Sequence, residues 1–162
     1  MSETVIRPAV FADLPRIVAL CEQVDELHRQ ALPWLFRKLD EPRSAEQLTA
    51  CLVDPEQAAL VATDHAGAPA SGVLFAKIRE ASKAAIVRPT RVAEIDNLVV
   101  DRLSRRRGVG KSLVRAALKW ARDVGATRTE LGVYEFNEEA RLFWASMGFS
   151  TVFRRMARLD LP

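Results

Sequence analysis

The sequence predicts a mixed α/β (α+β) domain with helices on both faces of a central sheet. The chain has 162 residues, of which 49% are hydrophobic, so we expect a single domain, residues 1–162, with a substantial core. Its apolar patterns follow the order β-α-α-β-β-β-α-β-α-β. An early hairpin in this order must be antiparallel, and a late strand–helix–strand crossover must be parallel.

The N-terminal half is predicted to hold three strands and two helices. Apolar residues at Ile17, Leu20 and Cys21 recur at helical spacing, and Asp13 is expected to cap that helix. Ser44 and Gln47 resemble a capping box that opens the second helix. The elements are a strand at Thr4–Arg7, a helix that Pro33 ends, a helix at Ser44–Val53, and hairpin strands at Gln57–Thr63 and Ser71–Arg79.

The C-terminal half is predicted to alternate strands and helices. Strict alternation along Val92–Val100 places Glu94, Asp96, Leu98 and Val100 on one face of that strand. Glycines mark the ends of both following helices. The remaining elements are a helix at Gly108–Val124, a strand at Arg128–Tyr134, a helix from Asn137 to about Met147, and a last strand at Phe149–Leu159.

The charge is divided unevenly between the two parts of the chain. Residues 1–100 carry 11 basic and 14 acidic side chains, whereas residues 101–162 carry 13 basic and 7 acidic ones. This division indicates that the C-terminal part meets an anion.

Several classes of protein and site are disfavoured. The apolar runs are too short to span a bilayer, so we expect no membrane partner. His28 and His65 lie far apart and the two cysteines form no ligand-spaced cluster, so we expect no metal site. Free thiols in a reducing cytoplasm are the favoured interpretation of Cys21 and Cys51, and the N-terminal residues do not resemble a signal peptide.

The strongest local motif lies between a predicted strand and a predicted helix. It runs through Arg105, Arg106, Arg107, Gly108, Val109, Gly110, Lys111 and Ser112. Glycines beside a helix start, flanked by four cations, favour the binding of a pyrophosphate. Arg105 stands where a Walker A loop requires glycine, which disfavours a nucleotide hydrolase. No aromatic residues interleave with the arginines, so we expect no nucleic-acid partner.

Three motifs resemble those of the GNAT N-acetyltransferases. The first is Arg105-x-x-Gly108-x-Gly110, which resembles the acetyl-CoA loop of that family. The second begins at Asn137-x-x-Ala140 and continues through Phe143 and Trp144 to Gly148 and Phe149. The third is the opening Ile6-Arg7-Pro8-Ala9, followed by Asp13-Leu14-Pro15. The element order matches as well, so the resemblance covers nearly the whole chain.

The resemblance implies a mostly antiparallel sheet in which one parallel strand pair splays to admit the arm of acetyl-CoA, the acyl donor. Main-chain groups of Leu98, Val99 and Val100 would pair with that arm, and one N–H would polarise the thioester carbonyl. Amides from Arg106 to Ser112 would hold the pyrophosphate. Asn137, Arg141, Phe143 and Trp144 would contribute to the same cofactor site.

The resemblance also suggests how the acetyl group would move. An attacking amine must be neutral, so a general base is useful, and Glu94 or Asp96 is the candidate. The alternative is that one of these two carboxylates forms an ion pair with an arginine, such as Arg91 or Arg128. The family usually has a tyrosine acid where this chain has Trp144, so a non-catalytic or regulatory CoA-binding module is the alternative function.

The acceptor is expected to be a small-molecule amine or a peptide. The first two helices usually cover the acceptor in this family, and here they carry acidic residues together with His28, Trp34 and Phe36. An aromatic face suits a cationic amine, although the same rings equally suit a core or a dimer contact. Dimers are common in the family, and the resemblance leaves a homodimer open.

Overall fold

The central sheet has its strands in chain order. Within the described residues, the order is β1-β2-β3-β4-β5; the first three pairings are antiparallel, and β4 and β5 are parallel. The strands are β1 (Val5–Pro8), β2 (Gln57–Thr63), β3 (Gly72–Glu80), β4 (Arg91–Val100) and β5 (Arg128–Leu131). The predicted mixed, mostly antiparallel sheet with an early hairpin and a late crossover is confirmed.

The structure is a computed structural model that describes residues 4–38, 45–80 and 84–159, with the side chains of residues 45–47 left out. The helices are α1 (Leu14–Ala31), α2 (Ala45–Val53), α3 (Val109–Asp123) and α4 (Glu138–Ser146). The chain divides into two compact units, Met1–Gly132 and Val133–Pro162. The first unit contains the whole sheet and helices α1 to α3; the second contains α4 and the chain that follows it.

Helices cover both faces of the sheet, as predicted. On one face, Ile17 and Leu20 of α1 and Leu48 of α2 pack with Val61, Val73 and other strand residues in one buried cluster. On the other face, Gly72 approaches Val109 and Leu113 of α3. We refer to the first surface as the α1/α2 face of the sheet. Burial of these side chains supplies most of the driving force for folding.

A β-bulge at Asp96 changes the predicted faces of β4. The pairing with β3 shifts between Phe75 and Ala76. Asn97 lies opposite Phe75 and Ile95 lies opposite Ala76, so Asp96 between them is the extra residue of the bulge. Glu94 lies opposite Lys77, but Leu98 lies opposite Leu74, which points to the other face. The prediction that Glu94, Leu98 and Val100 share one face is therefore wrong.

Two further local predictions differ from the structure. The Asp13 carboxylate does not cap α1; it accepts two hydrogen bonds from Arg7, at 2.7 and 2.8 Å, and one from the Val10 amide at 2.8 Å. The Arg7 guanidinium accordingly lowers the pKa of Asp13. The predicted strand at Arg128–Tyr134 ends at Leu131. The capping box of Ser44 with Gln47 lies outside the residues whose side chains are described.

The predicted last strand is not formed. Residues 149–159 form no strand, and the side chains of Val152 and Met156 are each 88% exposed. A strand requires a hydrogen-bonded partner, and this segment pairs with none of the strands in the described chain. Apolar patterning alone was therefore an insufficient signal.

In the described part of the chain, no helix combines the length and the apolar character needed to cross a membrane.

Candidate functional site

The segment between β4 and α3 exposes the N-terminal end of α3. After Asp101, the chain makes a 3₁₀ turn at Arg102–Ser104 and reaches α3 at Val109. Gly108 has a φ of 85°, a conformation that glycine adopts without strain. The amide of Ser112 donates to the Gly108 carbonyl at 3.0 Å, so the three preceding amides have no carbonyl one turn back in the helix. This end of α3 therefore presents N–H donors and a positive partial charge.

Four basic side chains lie in or beside this loop. Arg105, Arg106, Arg107 and Lys111 are all exposed. In the described ranges, the last three form no ion pair with a carboxylate, and Nε of Arg105 donates to the Val100 carbonyl at 3.4 Å. Helix amides with cations beside them in the chain suit a diphosphate. The loop and helix start predicted from sequence are present, and phosphate binding there remains a prediction.

Asp101 stabilises the turn that leads into the loop at residues 105–112. It is only 8% exposed, and its carboxylate accepts hydrogen bonds from the Leu103 amide at 2.9 Å, from Gln23 at 3.3 Å and from Arg16. These bonds lower the pKa of Asp101, with the Leu103 amide as the largest cause. Arg16 and Gln23 belong to α1, so the carboxylate ties that helix to the turn that leads into the loop.

Strands β4 and β5 separate after a short parallel ladder. Their pairing extends from Val92 with Arg128 to Ile95 with Leu131. Strand β4 continues to Val100, so over residues 96–100 its edge towards β5 has no strand partner in the described chain. Leu98, Val99 and Val100 lie in this stretch, as the resemblance requires for a slot. The parallel pairing of β4 with β5 is thus confirmed, whereas the slot and the contacts of these residues with a ligand remain predicted.

The two candidate carboxylates lie at the bulge of β4. The Glu94 side chain is 31% exposed and that of Asp96 is 58% exposed, so both can reach solvent or a ligand. Asp96 pairs with Lys77 at 3.2 Å, and Glu94 pairs with Arg79 at 2.9 Å. Since Lys77 lies directly opposite Glu94, both carboxylates are directed to the α1/α2 face.

The ion-pair partner of Glu94 was not predicted. Neither Arg91 nor Arg128 contacts it: Arg91 pairs with Glu56 at 2.7 Å, and Arg128 pairs with Glu130 at 2.6 Å. Arg79 takes that place because it lies opposite Val92, two residues from Glu94 along β4 and on the same face. Arg79 and Lys77 are separated by one residue in a predicted strand, which is the only sequence signal for them.

Helix α2 lies beside this charged group. The pKa of the Cys51 thiol is raised by burial and then by the negative charge of Asp96, while Lys77 acts in the opposite direction. Neither Cys51 nor Cys21 forms a disulfide in the described part of the chain, as predicted. In the described part of the chain, no group of three or more His, Cys, Asp and Glu residues could hold a metal ion.

The predicted acceptor residues lie at and just after the end of α1. The rings of His28 and Phe36 stack with their centroids 5.0 Å apart. Trp34 is half exposed. The structure thus brings two of the three residues together, and their part in binding an acceptor remains a prediction.

The other predicted cofactor residues belong to the second unit. Asn137 caps α4, because its side chain accepts a hydrogen bond from the Ala140 amide at 3.1 Å. Arg141 pairs with Glu135 at 3.4 Å. Phe143 makes an edge contact with Trp144, which is 8% exposed and also contacts Phe149. The cap formed by Asn137 and the ring contacts of Trp144 give both residues a structural role in this unit. Their cofactor role remains a prediction.

Solved structures share this fold over nearly the whole chain. A mutant of the BH1408 protein from Bacillus halodurans has a TM-score of 0.91 at 22% identity, covering 97% of this chain and 99% of that one. Glucosamine-6-phosphate N-acetyltransferase from Arabidopsis thaliana has a TM-score of 0.70 at 14% identity, covering 98% and 99%. Aminoglycoside N-acetyltransferase AAC(6')-Iy in complex with CoA has a TM-score of 0.74 at 20% identity, covering 99% and 96%. At these identities the likeness establishes the fold.

A search of curated proteins found no match. The model of the family described as "Acetyltransferase (GNAT) family" matches residues 21–149. This range includes the loop at residues 105–112, both candidate carboxylates and α4. The match covers well over half of the chain and agrees with the fold. The chain belongs to the acetyltransferase (GNAT) family.

Proposed function

We propose that this chain is an N-acetyltransferase that moves an acetyl group from acetyl-CoA directly to a primary amine of a small molecule or peptide. The observation that carries the proposal is the exposed start of α3, where helix amides lie beside three cations that form no ion pair with a carboxylate of the described residues. A diphosphate is the part of acetyl-CoA that such a site suits. One domain, residues 1–162, would carry out the whole reaction.

The donor would enter between β4 and β5. The edge of β4 from Leu98 to Val100 offers main-chain groups to the amides of the donor's pantetheine arm, in the manner of an added strand. An N–H fixed in this edge before the reaction would stabilise the negative charge that develops on the thioester oxygen. Solved structures of this fold with CoA bound support the choice of donor.

An amine that arrives as an ammonium ion loses two protons in the transfer. Glu94 or Asp96 accepts the first proton, directly or through one water molecule, which leaves the nitrogen with the lone pair that it needs to attack. The amine nitrogen then bonds to the thioester carbonyl carbon, the C–S bond breaks, and the nitrogen releases its second proton to water. CoA departs as a thiolate and takes a proton from solvent, because the indole of Trp144 is not a practical acid.

The acceptor class is argued from the α1/α2 face. Glu94 and Asp96 reach solvent and each pairs with one cationic side chain, which an ammonium group would replace. The stacked pair of His28 with Phe36 offers an aromatic surface. Solved structures of this fold include proteins named as N-acetyltransferases of glucosamine-6-phosphate and of aminoglycosides. Both of these named substrates are small molecules with amino groups. The free cysteines fit a reducing compartment such as the cytoplasm.

A screen of amines tests the proposal. The purified chain is incubated with acetyl-CoA and a panel of polyamines, amino sugars, amino acids and peptides, and the released thiol and the acetylated product are both measured. We expect one acceptor class to give equal amounts of product and thiol. Lack of acetyl-CoA binding would overturn the proposal.

A non-catalytic or regulatory CoA-binding module is the second candidate. The observation that favours it is Trp144, which stands where the family usually has a tyrosine acid and is buried between two phenylalanine rings. Such a module would bind CoA and acetyl-CoA with no turnover of any amine. A single acetylated product from the screen would reject it.

A further inference from the structure

The segment of residues 102–108 is fixed at both ends beside the start of β3. At its first end, the Asp101 amide donates to the Ser71 carbonyl at 2.8 Å. At its second end, α3 packs against the next residue of the chain, because a Cβ on Gly72 would lie 3.1 Å from the Val109 side chain. The segment that carries the arginines is therefore a closed loop, and its conformation depends on the bonds made within it.

Two residues hold the first turn of this segment, the 3₁₀ turn at residues 102–104. The Leu103 amide donates to the Asp101 carboxylate at 2.9 Å, and the Ser104 amide donates to the Asp101 carbonyl, also at 2.9 Å. The Arg102 amide donates to Oε1 of Gln23 at 3.3 Å. Each of the three turn amides thus has an acceptor, and Asp101 and Gln23 supply all of them.

Helix α1 fixes the Asp101 carboxylate in turn. Arg16 donates to that carboxylate, and Nε of Arg16 also donates to the Ala70 carbonyl at 2.9 Å. Nε2 of Gln23 donates to the same carboxylate at 3.3 Å. Arg16 and Gln23 lie two turns apart on α1, so one face of that helix holds the turn. We refer to Arg16, Gln23 and Asp101 as the Asp101 group.

The backbone that follows the turn requires support of this kind. Arg106 has a φ of 63°, which is unfavourable for a residue with a side chain and persists only where the surrounding structure holds it. We propose that the Asp101 group is a positioning group, which holds the loop at residues 105–112 in the conformation that binds the diphosphate of acetyl-CoA. The inference rests on the proposed function, which assigns acetyl-CoA to this loop.

A positioning role has consequences that a stabilising role lacks. A chain whose loop adopts the binding conformation for only a tenth of the time binds its ligand about tenfold more weakly, although no contact with the ligand is lost. Bound acetyl-CoA would itself order the loop, so the KM of acetyl-CoA should rise while kcat changes little. A group that only stabilises the fold would lower the free energy of unfolding and leave the Kd of the folded chain unchanged.

Two substitutions test the inference by calorimetry with acetyl-CoA, at a temperature where circular dichroism shows each variant to be folded. Asp101→Ala removes the acceptor of the Leu103 amide and the partner of Arg16, and it should raise the Kd about tenfold. Gln23→Met removes the acceptor of the Arg102 amide and keeps the ion pair. It should raise the Kd about threefold, because bonds at 3.3 Å are weaker than bonds at 2.9 Å.

Asp13→Ala is the matched control. Asp13 accepts hydrogen bonds from Arg7 and from the Val10 amide, and its side chain is 11% exposed, the same fraction as that of Asp101. These partners belong to β1 and to the segment after it. Asp13→Ala should therefore lower the Tm about as much as Asp101→Ala, while the Kd and the KM of acetyl-CoA stay within about twofold of the wild-type values.

Amide hydrogen exchange of the free chain, followed by NMR, gives a second readout that needs no ligand. The Ser104 amide is informative because its acceptor, the Asp101 carbonyl, is retained in Asp101→Ala. We expect this amide to exchange about tenfold faster in Asp101→Ala and at the wild-type rate in Asp13→Ala.

The outcomes separate the inference from the proposed function. A Kd that is the same in Asp101→Ala as in the wild-type chain, or that rises equally in Asp13→Ala, would overturn the inference alone. Failure of the wild-type chain to bind acetyl-CoA would instead overturn the proposed function. The exchange rate of the Ser104 amide would then still decide whether the Asp101 group holds the turn, and an unchanged rate in Asp101→Ala would overturn that role.

Discussion

Asp101 is expected to stabilise the fold through its ion pair with Arg16. In Asp101→Asn, the bond to the Leu103 amide can persist through the remaining oxygen, but the charge that faces Arg16 and Gln23 is lost. A hydrogen bond to a charged group contributes about 1.5–3 kcal/mol, and we take the lower end because the Arg16 side chain is 37% exposed. A loss of about 1.5 kcal/mol lowers the Tm of a chain of this size by about 3–6 °C.

Thermal and urea unfolding followed by circular dichroism measure this effect. Asp123→Asn is the control, because Asp123 forms an exposed ion pair with Lys119, and it should cost under about 0.5 kcal/mol. A double-mutant cycle with Arg16→Met isolates the pair. Coupling of about 1 kcal/mol is expected; effects that add within about 0.3 kcal/mol would refute the role given to this ion pair.

The pH dependence of the same difference follows from the lowered pKa of Asp101. Its ordinary value is 3.8, and the folded protein holds it below that value. The carboxylate therefore contributes its full stability above about pH 4, and the contribution is lost as the pH falls through the folded pKa. The gap in unfolding free energy between the wild-type chain and Asp101→Asn should be constant from pH 7 to about pH 5 and should narrow below pH 4.

Three further substitutions test other parts of the account. Gly110→Asp places a carboxylate in the first turn of α3 and should reduce acetyl-CoA affinity at least about 100-fold in calorimetry. The far-UV circular dichroism spectrum should not change. Unchanged affinity would mean that the loop is wrongly assigned. Gly72→Ala brings a Cβ to 3.0 Å from the Val99 carbonyl and 3.1 Å from Val109, so it should lower the free energy of unfolding in urea by about 1–3 kcal/mol. An unchanged free energy of unfolding would contradict the close packing there. Glu94→Gln should lower kcat about 100-fold or more; if Asp96→Asn alone has that effect, the base is Asp96.

Local signals allowed the loop before α3 and the start of that helix to be predicted. Glycines at 108 and 110, the adjacent arginines and the following amphipathic pattern are contiguous in sequence, and each acts through the conformation of its own residues. The structure accordingly begins α3 at Val109, one residue from the prediction. The hairpin and the parallel crossover follow similarly from the order of elements and the lengths of the connections.

The carboxylate site could be predicted only in part. Glu94 was named as a candidate base, which stays a prediction, but its partner Arg79 lies 15 residues away in the chain, and Glu130 lies 51 residues from Arg79. These contacts depend on the registers of β3, β4 and β5, which one sequence does not specify. The bulge at Asp96 has the same origin, because a single extra residue is defined only against the strand that it pairs with.

Asp101 and the last predicted strand illustrate the same physical limit. The bond between Arg16 and Asp101 joins residues 85 positions apart, so no local pattern announces it. Residues 149–159 have apolar side chains suited to a strand, yet whether a strand forms depends on a partner edge elsewhere. Both outcomes are decided by tertiary contacts, which local patterns do not contain.

The central claim is that the exposed start of α3 and its arginines bind acetyl-CoA. Titration calorimetry with acetyl-CoA tests it most directly, with Gly110→Asp and the wild-type chain measured side by side. We expect saturable binding at one site per wild-type chain, which added salt weakens, and little or no heat of binding in the variant. No binding to the wild-type chain at millimolar acetyl-CoA would contradict it.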